Sequence, residues 1–260
     1  MRSIRLENIL SILKKKGFAS VEELAEALKV SPVTVRRDLS VLEKQGAVVR
    51  IRGGASLKEF HREIPFFKKL DQNKEKKMAI AREVTRYLRE GQVVFASGGT
   101  TVYYVVQALD ESDLTDLTIV TNSITTAWAV VNLKKRFRLI HTGGVVRENS
   151  FECVGAHTLR VVEDLRVDVL LLGADGVDLE AGITLNNYEE CLLAKKLIEN
   201  SKKTIIVVDS SKFGEVAPYR VCPVEAVSKI VTDDAVSTET VNNFKERGIE
   251  LMVVEVKKTT

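Results

Sequence analysis

From Lys74 onward, short apolar runs alternate with stretches of helical character, and this alternation restricts the possible folds more than any other feature of the chain. The runs span 92–96, 117–121, 137–141, 168–173, 204–209, 228–232 and 249–255, and they carry Val, Ile and Leu at odd and even positions alike. A strand that is apolar on both parities is buried on both faces, as in a parallel sheet covered by helices. Helical stretches near 74–90, 101–109, 123–133, 156–165, 188–201 and 235–247 separate the runs. Alternation of this kind predicts an α/β domain built around a mostly parallel sheet.

Ligands of such domains sit beyond the carboxyl ends of the strands, so the residues at those ends carry the functional signal. The first run leads into Ser97-Gly98-Gly99-Thr100-Thr101 and the second into Thr121-Asn122-Ser123. The third leads into His141-Thr142-Gly143-Gly144, the fourth into Gly173-Ala174-Asp175-Gly176 and the fifth into Asp209-Ser210-Ser211-Lys212. Glycines let the backbone approach a ligand, while hydroxyls and helix N-terminal N–H groups bind anions. Asp175 can accept bonds from sugar hydroxyls, and Lys212 can neutralise a phosphate. Each segment alone is more often merely a helix cap, and His141, though a candidate general base, is at such a strand end more often a satisfied core residue. Taken together, an anion cradle and a carboxylate point to a phosphorylated small polyol or sugar.

The first sixty residues have a different character. Ile4, Leu6, Ile9, Leu10, Ile12 and Leu13 recur at helical spacing up to Gly17. Ser20 and Glu23 form a capping-box pattern for a second, short helix with Leu24, Ala25 and Leu28 inward. Ser31-Pro32 opens a third helix, with Ser31 as N-cap and Val35, Leu39 and Leu42 on its inner face, ending at Gly46. Val48 to Arg52 then form an extended pair of segments broken at Gly53-Gly54. Two helices joined by a tight turn make a helix-turn-helix, whose second helix can enter the major groove. Val33, Thr34, Arg36 and Arg37 are its outward positions, with Asp38 expected to orient the arginines through an ion pair. Arg50 and Arg52 form a basic wing for phosphate or the minor groove.

Charge separates the same two regions. Residues 1–60 hold 12 Lys/Arg against 7 Asp/Glu, whereas the remaining 200 residues hold 27 against 29. A basic head on a slightly acidic body suggests a polyanion partner for the head. Between them, residues 56–73 have no clean period, and Pro65 interrupts any continuous helix. The aromatic cluster Phe60, Phe66 and Phe67 reads either as static packing of head against body or as an element that transmits ligand binding. Cys153, Cys191 and Cys222 are widely spaced and have no CxxC pattern, so reduced, packed thiols are expected and no metal site is. The charged N-terminal segment and the lack of a long uncharged apolar stretch predict a cytoplasmic chain with no membrane span.

The run Val30-Ser31-Pro32-Val33-Thr34-Val35-Arg36-Arg37-Asp38-Leu39, followed by Arg52-Gly53-Gly54-Ala55, resembles the N-terminal domain of the DeoR family of bacterial repressors. That resemblance implies a winged helix-turn-helix that binds operator DNA. The strand ends resemble the family's C-terminal sensor domain at Gly99-Thr100-Thr101, Thr121-Asn122-Ser123, Gly143-Gly144, Gly173-Ala174-Asp175-Gly176 and Asp209-Ser210-Ser211-Lys212-Phe213-Gly214. It implies a fold similar to ribose-phosphate isomerases, glucosamine-phosphate deaminases and CoA transferases, and a sugar-phosphate effector that changes operator affinity. Two positions depart from the family pattern: Ser97 stands where an acid is usual, and Ala194 stands where a lysine follows the paired acids Glu189-Glu190.

The expectation is therefore three segments: a winged helix-turn-helix over 1–57, a connector over 58–73 and an α/β effector-sensing domain over 74–260. Operator contact is expected from Ser31, Val33, Thr34, Arg36, Arg37, Arg50 and Arg52. Effector contact is expected from Ser97, Gly98, Gly99, Thr100, Thr101, Thr121, Asn122, Ser123, Gly143, Gly144, Asp175, Glu189 and Lys212. The leading function is repression of a carbohydrate-metabolism operon by a homodimer or homotetramer that needs no cofactor, with induction and co-repression both open. The alternative is a sugar-phosphate isomerase or deaminase with an added DNA-binding head, using Asp175 with Glu189 or Glu190. A scaffold with a vestigial pocket is the third reading.

Overall fold

The computed structural model describes residues 2–16, 18–51, 53–57 and 64–257. Gly17, the wing residue Arg52 and connector residues 58–63, Phe60 among them, lie outside the described residues.

The head opens with α1 (Arg2–Lys16), β1 (Phe18–Ser20), α2 (Val21–Leu28) and α3 (Pro32–Lys44), followed by β2 (Val48–Ile51) and β3 (Gly54–Leu57). The start of α2 is held by the expected capping box. Ser20 accepts from the Glu23 N–H at 3.0 Å, and Glu23 accepts from the Ser20 N–H at 2.8 Å. Strand order is β1-β3-β2, all antiparallel, so the wing is three-stranded and not a plain hairpin. Three residues are too few for β1 to show a period, which hides it in the sequence. The glycine pair has two separate causes. Gly53 turns with φ +83°, while Gly54 faces the Ala19 carbonyl and the Phe18 ring so closely that a Cβ would lie 2.6 Å from the ring. Ile9, Leu13, Leu24, Val35, Leu39 and Leu42 close one small core between the three helices and the sheet.

The connector ends in α4 (Phe66–Asp71), and α5 (Lys74–Thr85) begins the body. There follow β4 (Gln92–Ala96), α6 (Thr100–Ala108), β5 (Leu117–Thr121), α7 (Ile124–Val131), β6 (Arg138–His141), β7 (Val145–Val146), β8 (Cys153–Val154) and α8 (Ala156–Glu163). The second half comprises β9 (Val167–Leu172), β10 (Gly176–Asp178), β11 (Gly182–Leu185), α9 (Tyr188–Glu199), β12 (Ser201–Val207), β13 (Tyr219–Cys222), β14 (Lys229–Asp233), α10 (Thr238–Glu246) and β15 (Leu251–Val254).

Among the described residues, the seven apolar runs all become strands of one parallel sheet, in the order β15-β14-β12-β9-β4-β5-β6. Alternate residues face opposite cores, as the double parity requires. Val94 and Ala96 pack with α5 and α6, while Phe95 between them packs with α8 and α9. The chain builds β4, β5 and β6 outward in one direction, then starts again at β9 and proceeds the other way. The order therefore reverses between β4 and β9, where Val94 lies opposite Val169. A crevice opens beyond the carboxyl ends of two strands at such a reversal. Outside this sheet, β10, β11 and β13 form a small antiparallel sheet, and β7 with β8 forms a hairpin. The three cysteines are buried and free. No helix among the described residues is long and apolar enough to cross a membrane.

Candidate functional site

In the head, Ser31 caps α3, accepting from the Thr34 N–H at 3.3 Å with its hydroxyl 3.0 Å from that of Thr34. Val33 is 55% exposed, Arg36 and Arg37 are exposed, and Thr34 is half-buried beside them. These four residues share the outward face because the inward face is taken by Val35, Asp38, Leu39 and Leu42. Asp38 is buried and ion-paired with Arg5 of α1, so it ties two helices together where pairing with Arg36 or Arg37 was expected. Position 38 lies three residues after Val35, which turns its side chain toward α1 and away from the arginines. Arg36 instead meets Glu22 at 3.6 Å with both groups more than half exposed, a kind of contact that contributes little to stability. Arg50 is exposed on β2 and donates to the Ser40 hydroxyl at 3.4 Å, which places a wing cation beside α3.

In the body, a cavity of about 140 Å³ occupies the crevice between the ends of β4 and β9. Its floor is the turn Ser97-Gly98-Gly99-Thr100-Thr101, in which Gly99 has φ +94° and precedes the first turn of α6. Gly98 lies directly against the Glu152 carboxyl group, so a side chain at position 98 would have to displace it. Asp175, from the end of β9, accepts from the Asn186 N–H at 2.9 Å and faces Lys69 at 3.5 Å. On the β12 side, Asp209 accepts from Asn73 at 3.1 Å and from Ser211, and Lys212 follows one residue later. Asn122 donates to Glu152 at 3.3 Å and to the Cys153 carbonyl at 3.1 Å, while its own side-chain oxygen is buried without a hydrogen-bond partner. Glu190, on α9, is paired with Arg147 and accepts from Ser150 at 3.2 Å.

Lys77 is the least solvated cation in this cavity. It is 4% exposed, donates to the Lys69 carbonyl at 2.6 Å, and has its pKa pulled down to about 8. Burial is the main cause. The neighbouring ammonium groups of Lys212 and Lys69 push the same way, and Asp209 opposes them. Lys69, Lys77 and Lys212 thus converge near a helix N-terminus and two glycines, an arrangement suited to an anion.

Known proteins share both halves of the chain. A DeoR-like helix-turn-helix domain matches residues 5–60, and a DeoR C terminal sensor domain matches residues 72–234. The chain belongs to the DeoR family of transcriptional regulators. The glycerol-3-phosphate regulon repressor of Escherichia coli is 34% identical over 88% of this chain and 90% of its own length. An uncharacterized HTH-type transcriptional regulator of Bacillus subtilis, YulB, is 31% identical over 98% of this chain and 97% of its own. The B. subtilis HTH-type transcriptional repressor GlcR is 30% identical over 96% of each. Among solved structures, ribose 5-phosphate isomerase A from Methanocaldococcus jannaschii aligns with a TM-score of 0.40 at 17% identity, over 55% of each chain.

Of the positions singled out from the sequence of this DeoR-family chain, Ser97, Gly98, Gly99, Thr100, Thr101, Asn122, Asp175 and Lys212 line the cavity. Thr121, Ser123, Gly143, Gly144 and Glu189 lie outside that lining. Ser123 caps α7, accepting from the Thr126 N–H at 3.2 Å, and Thr121 accepts from the Ser123 N–H at 3.0 Å. Gly143 and Gly144 make a positive-φ turn against α8, and Thr158 donates to the Gly143 carbonyl at 2.7 Å. Glu189 is exposed, whereas Glu190 faces inward, because successive helical residues point about 100° apart. His141 is exposed, and its Nδ1 accepts from the Gly143 N–H.

The cavity also takes Lys69, Asn73, Lys77, Ser150, Glu152 and Glu190, none of which was among the expected effector contacts. Lys77 did leave a trace in the sequence. It precedes Ile80, Ala81 and Val84 at helical spacing, so a cation occupies the buried stripe of α5. The departures at Ser97 and Ala194 are both on the cavity wall, and the lysines come from α4, α5 and the Asp209 turn in place of α9.

Proposed function

We propose that this chain is a repressor of a carbohydrate-metabolism operon whose operator affinity is set by a phosphorylated sugar or polyol held in the cavity. The observation that carries this reading is that Lys69, Lys77 and Lys212 line one cavity with the Gly98-Gly99 turn at the start of α6 and with Asp175 at the neighbouring strand end. Lys77, Lys212 and the backbone N–H groups at the start of α6 hold the phosphate, and Asp175 and Asn122 take hydroxyls. The cavity carboxylates are engaged as binding groups: Asp175 with Asn186 and Lys69, Glu190 with Arg147, and Asp209 with Asn73. That favours ligand binding over proton transfer. Relatives named as repressors, one of a glycerol-3-phosphate regulon, support the same reading.

In the head, Ser31, Val33, Thr34, Arg36 and Arg37 meet the major groove, and Arg50 and Arg52 meet phosphates. Two heads of a homodimer or homotetramer match half-sites one helical turn or a multiple apart.

The test is operator DNA selected by the full chain, titrated by fluorescence anisotropy with inorganic phosphate, glycerol 3-phosphate and ribose 5-phosphate. A sugar or polyol phosphate is expected to change operator affinity at least about fivefold, within the usual range of allosteric coupling, while inorganic phosphate does not. If every phosphorylated sugar and polyol left the affinity unchanged, the effector reading would fall. On the same operator, Arg36→Ala is expected to cost about 1–3 kcal/mol of specific binding, with discrimination lost at one base pair. Uniform weakening across sequences would assign Arg36 to the phosphate backbone.

A further inference from the structure

The end of the connector forms part of the effector cavity. Phe66 is 3% exposed and meets Tyr103 and Phe151 edge-on at 5.6 and 6.5 Å, and its N–H donates to the Asn149 carbonyl at 2.8 Å. Those contacts seat the start of α4 on the body. One turn later, α4 has two polar ties to the cavity itself, both at Lys69. Its ammonium group reaches Asp175 at 3.5 Å, and its carbonyl accepts from Lys77 at 2.6 Å. Both ties end on groups that a phosphorylated polyol competes for, since hydroxyls seek the Asp175 carboxylate and the phosphate seeks the Lys77 ammonium. The segment they hold is the one that leads back to the DNA-binding head.

We propose that Lys69 reads occupancy of the cavity: a ligand that takes Asp175 and Lys77 breaks both ties, loosens the Lys69 end of α4 from the cavity wall while Phe66 stays seated, and so passes ligand binding to the head. This rests on the reading of the cavity as a sugar- or polyol-phosphate site. Through linkage, the ligand then shifts operator affinity only as far as it favours the loosened arrangement over the tied one.

The experiment uses the full chain carrying Lys69→Met, whose side chain fills similar space and cannot pair with Asp175. Operator affinity is measured with and without saturating glycerol 3-phosphate or ribose 5-phosphate, and calorimetry reports ligand binding separately. Lys69→Met removes the Asp175 tie and leaves the backbone tie to Lys77, so the ligand-free variant is expected to move at least about twofold toward the operator affinity of the ligand-saturated parent, and the ligand response to shrink by the same factor. A ligand-free variant with the operator affinity of the ligand-free parent would overturn the proposal, whether or not it still bound ligand. A parent that bound neither compound would remove the effector reading itself, and this inference with it. Hydrogen exchange of the parent gives a second readout without substitution. Amides 69–71 are expected to exchange faster with ligand bound, and slower exchange there would show that ligand tightens α4 and would overturn the loosening.

Discussion

In Lys77→Met, affinity for a phosphorylated ligand is expected to fall about 30-fold to several-thousand-fold, while the melting temperature stays within a few degrees of the parent. Removing one partner of a buried charge pair costs about 2–5 kcal/mol, because the remaining charge is left in a poorly solvating site. Lys77 has little access to solvent and sits beside Asp209, Lys69 and Lys212, so water cannot take over its role. The fold tolerates methionine because position 77 belongs to the buried stripe of α5, and burial already disfavours the ammonium form there.

The depressed pKa adds a pH signature with a definite sign. The Lys77 ammonium is complete below about pH 8 and lost above it, whereas a phosphate monoester is dianionic above about pH 6. Ligand affinity is therefore expected to be flat between about 6 and 8 and to weaken by up to about tenfold per pH unit above 8, with proton uptake on binding. Lys77→Met is expected to abolish the alkaline fall. Stability of the ligand-free protein responds in the opposite direction. Because the folded pKa lies below the unfolded value, the unfolded chain binds more protons between about pH 8 and 10.5, and the contribution of Lys77 to stability rises over that window. Calorimetric titration and thermal melts from pH 6 to 10 measure both effects. A pH-independent affinity in the parent would remove Lys77 from the proposed phosphate contacts.

The second large effect is expected in the head. Gly54→Val is expected to unfold the head separately from the body, with operator binding reduced at least about 100-fold and ligand binding retained. A Cβ at position 54 meets the Ala19 carbonyl and the Phe18 ring, and a backbone carbonyl cannot move aside without breaking the β1–β3 pairing. Overpacking costs about 1–3 kcal/mol even where side chains can adjust, and a core as small as that of the head supplies only about 3–5 kcal/mol. Gly53→Ala is the milder comparison. The space around Gly53 is open, so only its left-handed backbone conformation resists a side chain, at about 1–2 kcal/mol. Calorimetric scanning should show two separated transitions in Gly54→Val and a smaller shift in Gly53→Ala. Equal behaviour of the two variants would mean that close approach of β1 is not what position 54 requires.

The legibility of the chain followed the length of its elements. The seven strands of the parallel sheet and the helices between them are each four to twelve residues long, and their burial left a repeated apolar signature. The strands of β7, β8, β10 and β1 run to two or three residues, too short for any period to register. The same limit applied to the site. Glycines, hydroxyls and carboxylates at strand ends could be found because parallel-sheet topology dictates where those ends point. Which glycine pair faces a ligand and which packs a turn could not. Gly98 faces the cavity and Gly144 faces Thr158, although both follow a strand.

The sequence alone therefore determined the kind of molecule: a capped helix-turn-helix with outward arginines, joined to a doubly covered parallel sheet with polar strand ends. Capping, periodicity and charge act between residues a few positions apart, and each writes a local pattern. Only the tertiary structure decided which charges share the cavity. Lys69 reaches Asp175 and Asn73 reaches Asp209 across more than a hundred residues, and Glu190 is chosen over Glu189 by the rotation of one helix. Asp38 likewise serves α1, because the inward face of α3 carries it toward Arg5. Contacts of that kind depend on how separate elements pack, and packing leaves no period in the chain.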